Sequence, residues 1–173
     1  MVTANIKIKK RIVYISYAVL LLLIYVFEYS SNVASPVGKG SASVLLPAVL
    51  VSGIMFKEWA GAFYGLGVGI AIDSVASSSY IFNTIALFVL CCVLGLLIKR
   101  IFINNTLSAI ILLVAGIFTY YFFQWLVCHL MGGNPEASAY LTVISLPSAI
   151  YTSLVGIPMY FVIRTVYRKI VNK

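Results

Sequence analysis

KEWAGAFYGLGVGIAID, residues Lys57 to Asp73, is an apolar run that contains four glycines and ends on the only aspartate of the chain. A dinucleotide-binding loop needs the spacing G-x-G-x-x-G between a strand and a helix. This stretch has G-x-G-x-G in an apolar setting, so it does not match such a loop. Gly61, Gly65 and Gly69 recur every four residues and therefore lie on one face of a helix. The spacing predicts a membrane helix that packs closely against a neighbour.

The composition of the whole chain agrees with this prediction. Of its 173 residues, 62% are hydrophobic and 9% are charged, and the mean hydropathy is +1.08. A soluble domain is typically about 25% charged. We therefore predict a single multi-pass integral membrane domain over residues 1–173, in contact with the lipid bilayer. The net charge of +8 comes from basic residues that flank apolar runs, a pattern of membrane topology rather than of nucleic-acid binding.

Six apolar runs predict an all-α bundle of six transmembrane helices, since about 20 residues cross the hydrocarbon core. The runs cover residues 12–29, 44–56, 59–76, 80–98, 106–128 and 140–163. The first run also resembles a secretory signal peptide, but the runs that follow it favour an uncleaved helix. Pro47 and Pro147 predict kinks in the second and sixth helices, and the short second helix is expected to be kinked or partly re-entrant.

The basic residues predict the orientation of this bundle. With the N-terminus in the cytoplasm, six spans place 11 of the 12 basic residues on the cytoplasmic side and Lys39 alone on the other. Basic residues collect on the cytoplasmic side of membrane proteins. Both termini are therefore expected to be cytoplasmic.

Few residues are candidates for chemistry. The sequence lacks the motifs of zinc metalloproteases and serine hydrolases and has no paired intramembrane aspartates, so we expect no catalytic residues and no enzymatic activity. The three cysteines lie in apolar runs without the spacing of a metal site, and we expect no disulfide, metal or cofactor. Glu28 is expected to be solvated and His129 to be interfacial, both at the outer end.

Asp73 is the polar residue that needs an explanation. Fourteen residues separate it from Trp59, which places it about 21 Å across the membrane, where a carboxylate needs water, a partner or the bundle interior. One interpretation is that it caps the next helix by accepting hydrogen bonds from amides near residues 74–77. The other is that it is a polar residue of an interface or a pocket.

The glycine face also has two interpretations. Gly61, Gly65 and Gly69 either pack against another helix of the same bundle or form a groove for a partner or a small ligand. We treat this face as a candidate helix-packing or partner surface. The proline positions Pro47 and Pro147 belong to the same candidate set.

The sequence resembles the MreD family of bacterial rod-shape-determining membrane proteins. The features that carry the resemblance are LLPAVL early in the second run, the stretch GAFYGLGVGIAID, and the ending LPSAIYTSLVGIPMYFVIRTVYRK. Together with the length and the six runs, they cover nearly the whole chain. The sequence departs from many relatives after Asp73, where it has SSSYIF in place of a small-residue turn with Leu-Gly.

The resemblance implies a fold, a role and partners. The fold would be that of the S-components of vitamin transporters, in the bacterial cytoplasmic membrane. The role would be a non-enzymatic scaffold of the cell-elongation complex, which regulates peptidoglycan synthesis and cell shape. MreC would be the direct partner, and MreB filaments and the peptidoglycan polymerase RodA with its class B penicillin-binding protein would belong to the larger complex.

The alternative is a substrate-binding S-component of an energy-coupling-factor vitamin transporter. Those proteins often carry an A-x-x-x-A docking motif in the first helix, whereas Ala18 is followed four places later by Leu22 here. Such a protein would have a pocket near the outer side. Asp73 and the aromatic residues of the fifth run would line it, namely Tyr120, Tyr121, Phe122, Phe123 and Trp125.

Overall fold

The computed structural model describes most of the chain. The described residues are 2–30, 36–37, 40–41, 43–56, 58–75, 81–100, 106–127 and 137–171. Cys128 and His129, for which the sequence makes predictions, lie outside these ranges, as do the turn amides expected at residues 76 and 77. The described residues are almost entirely helical, which confirms the prediction of an all-α protein.

The described residues form six helices. The first five are α1 (Val2–Ser30), α2 (Leu45–Met55), α3 (Glu58–Val75), α4 (Phe82–Arg100) and α5 (Thr106–Trp125). The sixth, α6, consists of the consecutive segments Ala137–Tyr140, Leu141–Ser145 and Leu146–Val171, of which the middle one is a π-helix. Between α1 and α2, a strand pair not predicted from the sequence joins β1 (Pro36–Val37) to β2 (Gly40–Ser41) in antiparallel fashion.

Four of the six helices are long and apolar enough to cross a membrane. Their apolar parts are Ile12–Ser30 in α1, Phe82–Lys99 in α4, Thr106–Trp125 in α5 and Ser138–Lys169 in α6. Helices α2 and α3 are apolar but shorter. The 11 residues of α2 extend about 16 Å at 1.5 Å each, which is about half of a 30 Å hydrocarbon core.

Helix α2 is the centre of the bundle. Residues Leu45 to Ile54 are all buried, and Ala48, Val49, Leu50 and Val51 have no exposed surface at all. The other five helices each pack against α2. This arrangement explains the uniformly apolar sequence of α2, because a helix that is surrounded on every side needs no polar face.

The position of Pro47 removes the reason for its predicted kink, whereas the kink at Pro147 stays a prediction. Pro47 is the third residue of α2, and a proline in the first turn of a helix interrupts no intrahelical hydrogen bond. Pro147 lies two residues after the π-helical segment Leu141–Ser145, where the Leu146 amide donates to the Leu141 carbonyl. Because proline has no N–H and its ring clashes with the carbonyl four residues earlier, the wider π-turn accommodates Pro147 without a break in α6.

The two ends of the bundle differ in their side chains. At one end, which we call the Phe56 end, Phe56 stacks on Tyr14, Tyr17, Tyr64 and Tyr167, with ring centroids 4.9–5.6 Å apart. The opposite end, which we call the Asp73 end, holds Glu28 and Asp73. Tyr14 and Glu28 are fourteen residues apart on α1, so the two ends are separated by about 21 Å.

Candidate functional site

The glycine face of α3 packs against two helices of the same chain. A Cβ atom at Gly61 would lie 2.6 Å from the Cα of Gly53 in α2, and one at Gly65 would lie 2.6 Å from the carbonyl oxygen of Leu87 in α4. Gly69 is in similarly close contact with the α4 backbone. These helices can approach so closely because the three positions carry no side chain.

This placement bears on the two interpretations of the glycine face. Gly61, Gly65 and Gly69 are buried between α2, α3 and α4, so a partner could reach them only by displacing α2 or α4. Gly67, on the opposite side of α3, is exposed and would have no atom within 4 Å of an added Cβ. The geometry is that of packing within the bundle.

Asp73 holds the first turn of α4. Its Oδ1 accepts hydrogen bonds from the backbone N (3.3 Å) and the side-chain Nδ2 (2.7 Å) of Asn83. Its Oδ2 accepts bonds from the backbone N (2.8 Å) and the Oγ1 (2.6 Å) of Thr84. The carboxylate therefore caps the next helix, and the amides that it binds belong to Asn83 and Thr84 rather than to the turn directly after it.

The cap extends to a third helix through Asn83. The hydroxyl of Tyr120 in α5 donates to the side-chain oxygen of Asn83, at 2.5 Å. Asn83 is 8% exposed and Tyr120 is 7% exposed, so this connection lies inside the bundle. Asp73, Asn83 and Tyr120 thus form one hydrogen-bonded chain across α3, α4 and α5.

Glu28 of α1 caps the start of α2 as Asp73 of α3 caps the start of α4, and the sequence analysis did not predict this. Its Oε2 accepts hydrogen bonds from the backbone amides of Val44 (3.1 Å) and Leu45 (2.8 Å) at the start of α2. The prediction that Glu28 is solvated is therefore wrong. The signal that could have revealed it is positional, because Glu28 and Asp73 both lie two residues before the end of a helix that precedes another apolar helix.

A small hydroxyl cluster lies beside the start of α2. Thr152 of α6 is completely buried, and its Oγ1 accepts a hydrogen bond from the Ser43 amide at 3.2 Å. The hydroxyl of Tyr121 lies 3.1 Å from the same oxygen. The Ser43 hydroxyl in turn accepts a bond from the Leu46 amide at 3.2 Å. These contacts tie α2, α5 and α6 together at the Asp73 end.

Among the described residues, two grooves open on the lateral surface. The α4–α5 groove has a volume of about 500 Å³ and the α5–α6 groove one of about 460 Å³. The first is lined by Ile81, Phe82, Ile85, Ala86, Val89, Leu90, Tyr120, Phe123 and Val127. The second is lined by Phe118, Thr119, Tyr121, Phe122, Phe123, Leu141, Ser145, Leu146 and Ala149. Asp73 lines neither groove, so it does not share a pocket with the α5 aromatic residues there.

The two candidate prolines lie apart from each other. Pro47 is fully buried, and a Cβ at Gly156 of α6 would be 3.0 Å from its ring. Pro147 is half-buried and follows two residues that line the α5–α6 groove, Ser145 and Leu146. Pro47 therefore packs the interior, and the segment before Pro147 shapes a lateral surface.

The two described cysteines, Cys91 and Cys92, are free thiols in apolar helix α4. Cys91 is completely buried, with its Sγ 3.6 Å from the carbonyl oxygen of Val49, and Cys92 is half-buried. In the part of the chain that the structure describes, no three His, Cys, Asp or Glu side chains come together as metal ligands. The expectations of no metal and no cofactor stay predictions.

Comparison with known proteins identified no relative of the chain. No family model, no curated protein and no solved structure matches the chain. The resemblance to MreD therefore stays a hypothesis that depends on the residues quoted above.

Proposed function

We propose that the chain is a membrane scaffold of the MreD type in the bacterial cytoplasmic membrane. In this proposal all six helices belong to an S-component-like membrane bundle with both termini in the cytoplasm. The chain binds MreC and helps to couple MreB filaments to RodA and its class B penicillin-binding protein, and thereby to cell shape. It acts by holding partners, without catalysis of its own.

The observation that carries the proposal is that the glycines and the aspartate of one of the stretches behind the resemblance, GAFYGLGVGIAID, form one structural unit with α4. Gly65 and Gly69 bring α3 against α4, and Asp73 binds the first turn of α4. Because the glycine face and the carboxylate both join α3 to α4, their joint occurrence supports the resemblance to MreD more specifically than a high glycine content would. The unit is a rigid α3–α4 hairpin, which suits a protein whose function is to present a fixed surface.

The surface that remains for partners is lateral and apolar. Exposed side chains on it include Phe63 of α3, Ile85 and Val89 of α4, and Val162 of α6. A partner with a single membrane helix, as MreC is expected to be, can bind such a surface by dispersion contacts and close packing. The α4–α5 groove is where we expect that helix, because its depth allows side chains of a second helix to insert.

Co-purification in mild detergent tests this proposal. Val89 lines the α4–α5 groove and is 48% exposed, and Val162 is an exposed valine of α6 outside it. We expect Val89→Trp to fill the groove and reduce the recovery of co-expressed MreC at least about fivefold, while Val162→Trp leaves it unchanged. Gly65→Leu is unsuited to this test, because it would disrupt the bundle itself.

Two results would contradict the proposal. One is that MreC from the same organism does not co-purify with the unmodified chain, and the other is that depletion of the chain leaves rod-shaped cells unaltered. An equal loss of MreC with Val89→Trp and Val162→Trp would reject the α4–α5 groove as the contact while leaving the scaffold role in place.

A vitamin-transporter S-component is the second candidate, and the α5–α6 groove favours it. Its aromatic walls, the Tyr121 hydroxyl and the Ser145 side chain suit a small amphipathic molecule. The pocket would differ from the sequence prediction, since Asp73 caps α4 and takes no part. A rise in melting temperature with one water-soluble vitamin, together with co-purification of an ATPase pair, would support this candidate over the scaffold.

A further inference from the structure

The described charges separate between the two ends of the bundle. Glu28 and Asp73, the two acidic side chains that the structure describes, both bind amides at the Asp73 end. At the opposite end, the basic side chains that the structure describes on α4 and α6 are Lys99, Arg164, Arg168 and Lys169. Most of these extend outward, but Arg164 is half-buried and held in place by its neighbours.

Arg164 has a fixed orientation. Its Nη1 donates a hydrogen bond to the Oγ1 of Thr106, the first residue of α5. The centre of its guanidinium group lies 5.7 Å from the centroid of the Tyr160 ring, a distance at which a cation interacts favourably with an aromatic face. Tyr160 is only 4% exposed, so it provides a rigid support. The guanidinium is therefore positioned where α5 begins and α6 approaches its end.

The charge of Arg164 has no carboxylate partner in the described structure. A guanidinium has five N–H donors, and one nitrogen is bonded to Thr106. Among the side chains that the structure describes, the acidic ones are Glu28 and Asp73 at the opposite end, and the first turn of α5 contains no acidic residue. A half-buried cation of this kind is costly at a membrane boundary unless an anion or water satisfies it.

The depth of Arg164 matches a phosphate layer. The apolar part of α6 has 32 residues, about 48 Å of helix, whereas the hydrocarbon core is about 30 Å thick. Arg164 lies 24 residues after Tyr140, about 36 Å along the helix. A helix that enters the core near Tyr140 therefore presents Arg164 at the headgroup level of the opposite leaflet.

We propose that Arg164 and Thr106 form a binding site for the phosphate group of an anionic phospholipid. The planar guanidinium suits two-pronged binding of phosphate oxygens, and basic clefts between membrane helices bind acidic headgroups. Arg168 and Lys169 are exposed one turn further along α6, where they attract anionic lipid without entering the cleft. The acyl chains lie against the apolar outer surfaces of α5 and α6.

Lipid titration of the full chain tests this site. The purified protein is delipidated, and its melting temperature is measured with increasing cardiolipin, with phosphatidylglycerol, or with zwitterionic phosphatidylcholine as the reference lipid. We expect both anionic lipids to raise the melting temperature well beyond phosphatidylcholine. Arg164→Gln should weaken the apparent affinity for cardiolipin about tenfold or more, since hydrogen bonds between charged groups are lost. Arg168→Gln, the matched control, should change it less than about twofold.

Further measurements distinguish specific phosphate binding at Arg164 from non-specific electrostatic attraction between the basic end and anionic lipid. Arg164→Lys keeps the charge and loses the planar fork, so we expect an intermediate affinity, and this variant also serves if Arg164→Gln does not fold. Equal weakening by Arg164→Gln and Arg168→Gln would overturn the proposal in favour of diffuse electrostatics. Equal stabilisation by millimolar inorganic phosphate would also overturn it, because the site would then recognise a free anion. If anionic lipids do not stabilise the unmodified chain but MreC still co-purifies with it, the lipid site is rejected and the scaffold proposal stands.

Discussion

Replacement of Asp73 by alanine tests the structural explanation of the most unusual residue in the chain. The substitution removes both carboxylate oxygens, which accept four hydrogen bonds from Asn83 and Thr84. The side-chain donors of these two residues can turn towards other acceptors. Their two backbone amides cannot, because the helical geometry of α4 fixes them.

The size of the effect follows from those two amides. A buried donor that loses its partner costs about 1–3 kcal/mol, and loss of a helix N-cap costs about 0.5–2 kcal/mol in soluble proteins. Asp73 is partly exposed, so water can satisfy some of the lost bonding. We therefore expect Asp73→Ala to lower the free energy of unfolding by about 2–4 kcal/mol, with Asp73→Asn in between because it keeps one acceptor oxygen.

Two measurements report this loss. Unfolding by SDS in mixed micelles, followed by circular dichroism, gives the global change. Cys91 gives the local one, because it is fully buried beside α2 and α3 and a maleimide reaches it only when the helices separate. With Cys92 and Cys128 replaced by alanine, a cost of 2 kcal/mol corresponds to labelling about 30-fold faster.

The control for this substitution is the neighbouring residue. Ser74 is exposed, and its hydroxyl donates a hydrogen bond to the Ile70 carbonyl of its own helix, at 2.6 Å. Ser74→Ala should change the free energy of unfolding by less than about 0.5 kcal/mol. If Asp73→Ala and Ser74→Ala behave alike in both measurements, the carboxylate does not hold α4 and the explanation of Asp73 as a cap is refuted.

Three further tests address the packed glycine face, the Glu28 cap and the connection to α5. Gly65→Ala should destabilise the bundle by about 1–3 kcal/mol through overpacking against α4, whereas Gly67→Ala should stabilise it by about 0.5–1 kcal/mol through helix propensity. SDS unfolding of the two variants measures both changes, and equal effects would contradict the assignment of Gly65 to a packed face. Glu28→Ala should speed hydrogen exchange of the first α2 amides, and unchanged exchange would show that they have another partner. Tyr120→Phe should cost about 1 kcal/mol by leaving the Asn83 amide oxygen without its donor. The control is Tyr151→Phe, at a half-buried tyrosine of α6, which should cost less, and a reversed order would contradict the connection to α5.

The hydropathy of the sequence predicted which segments are helices, and it did so for a physical reason. The four runs from the second to the fifth agree with α2 to α5 to within three residues at each end, because apolar runs end where polar turns begin. Helices α1 and α6 extend well beyond their predicted runs, to Val2 and Val171. Their basic ends are helical outside the apolar part, and hydropathy detects only the portion that lipid or the core must cover.

The sequence could not predict how polar groups pair between helices. Whether Glu28 or Asp73 faces water or an amide depends on which helix packs beside it, and hydropathy carries no information on that. The contact of Arg164 with Thr106 joins positions 58 residues apart and has the same origin. The central position of α2 could not be predicted either, because a run of 11 apolar residues has the same hydropathy whether it faces lipid or fills the centre of a bundle.

The two carboxylate caps explain how a short central helix can exist inside a bundle of apolar helices. The first four amides of any helix lack intrahelical partners, and in lipid each such group costs several kcal/mol. Because α2 extends only about 16 Å, its start is covered by neighbouring helices rather than by water. Glu28 supplies an oxygen to two of these amides, and Asp73 does the same for α4. Each acid comes from the helix before, so the α1–α2 and α3–α4 pairs fold as capped hairpins on the same principle. A chain with 4 acidic residues among 173 thus uses two of them to satisfy backbone that the bilayer cannot.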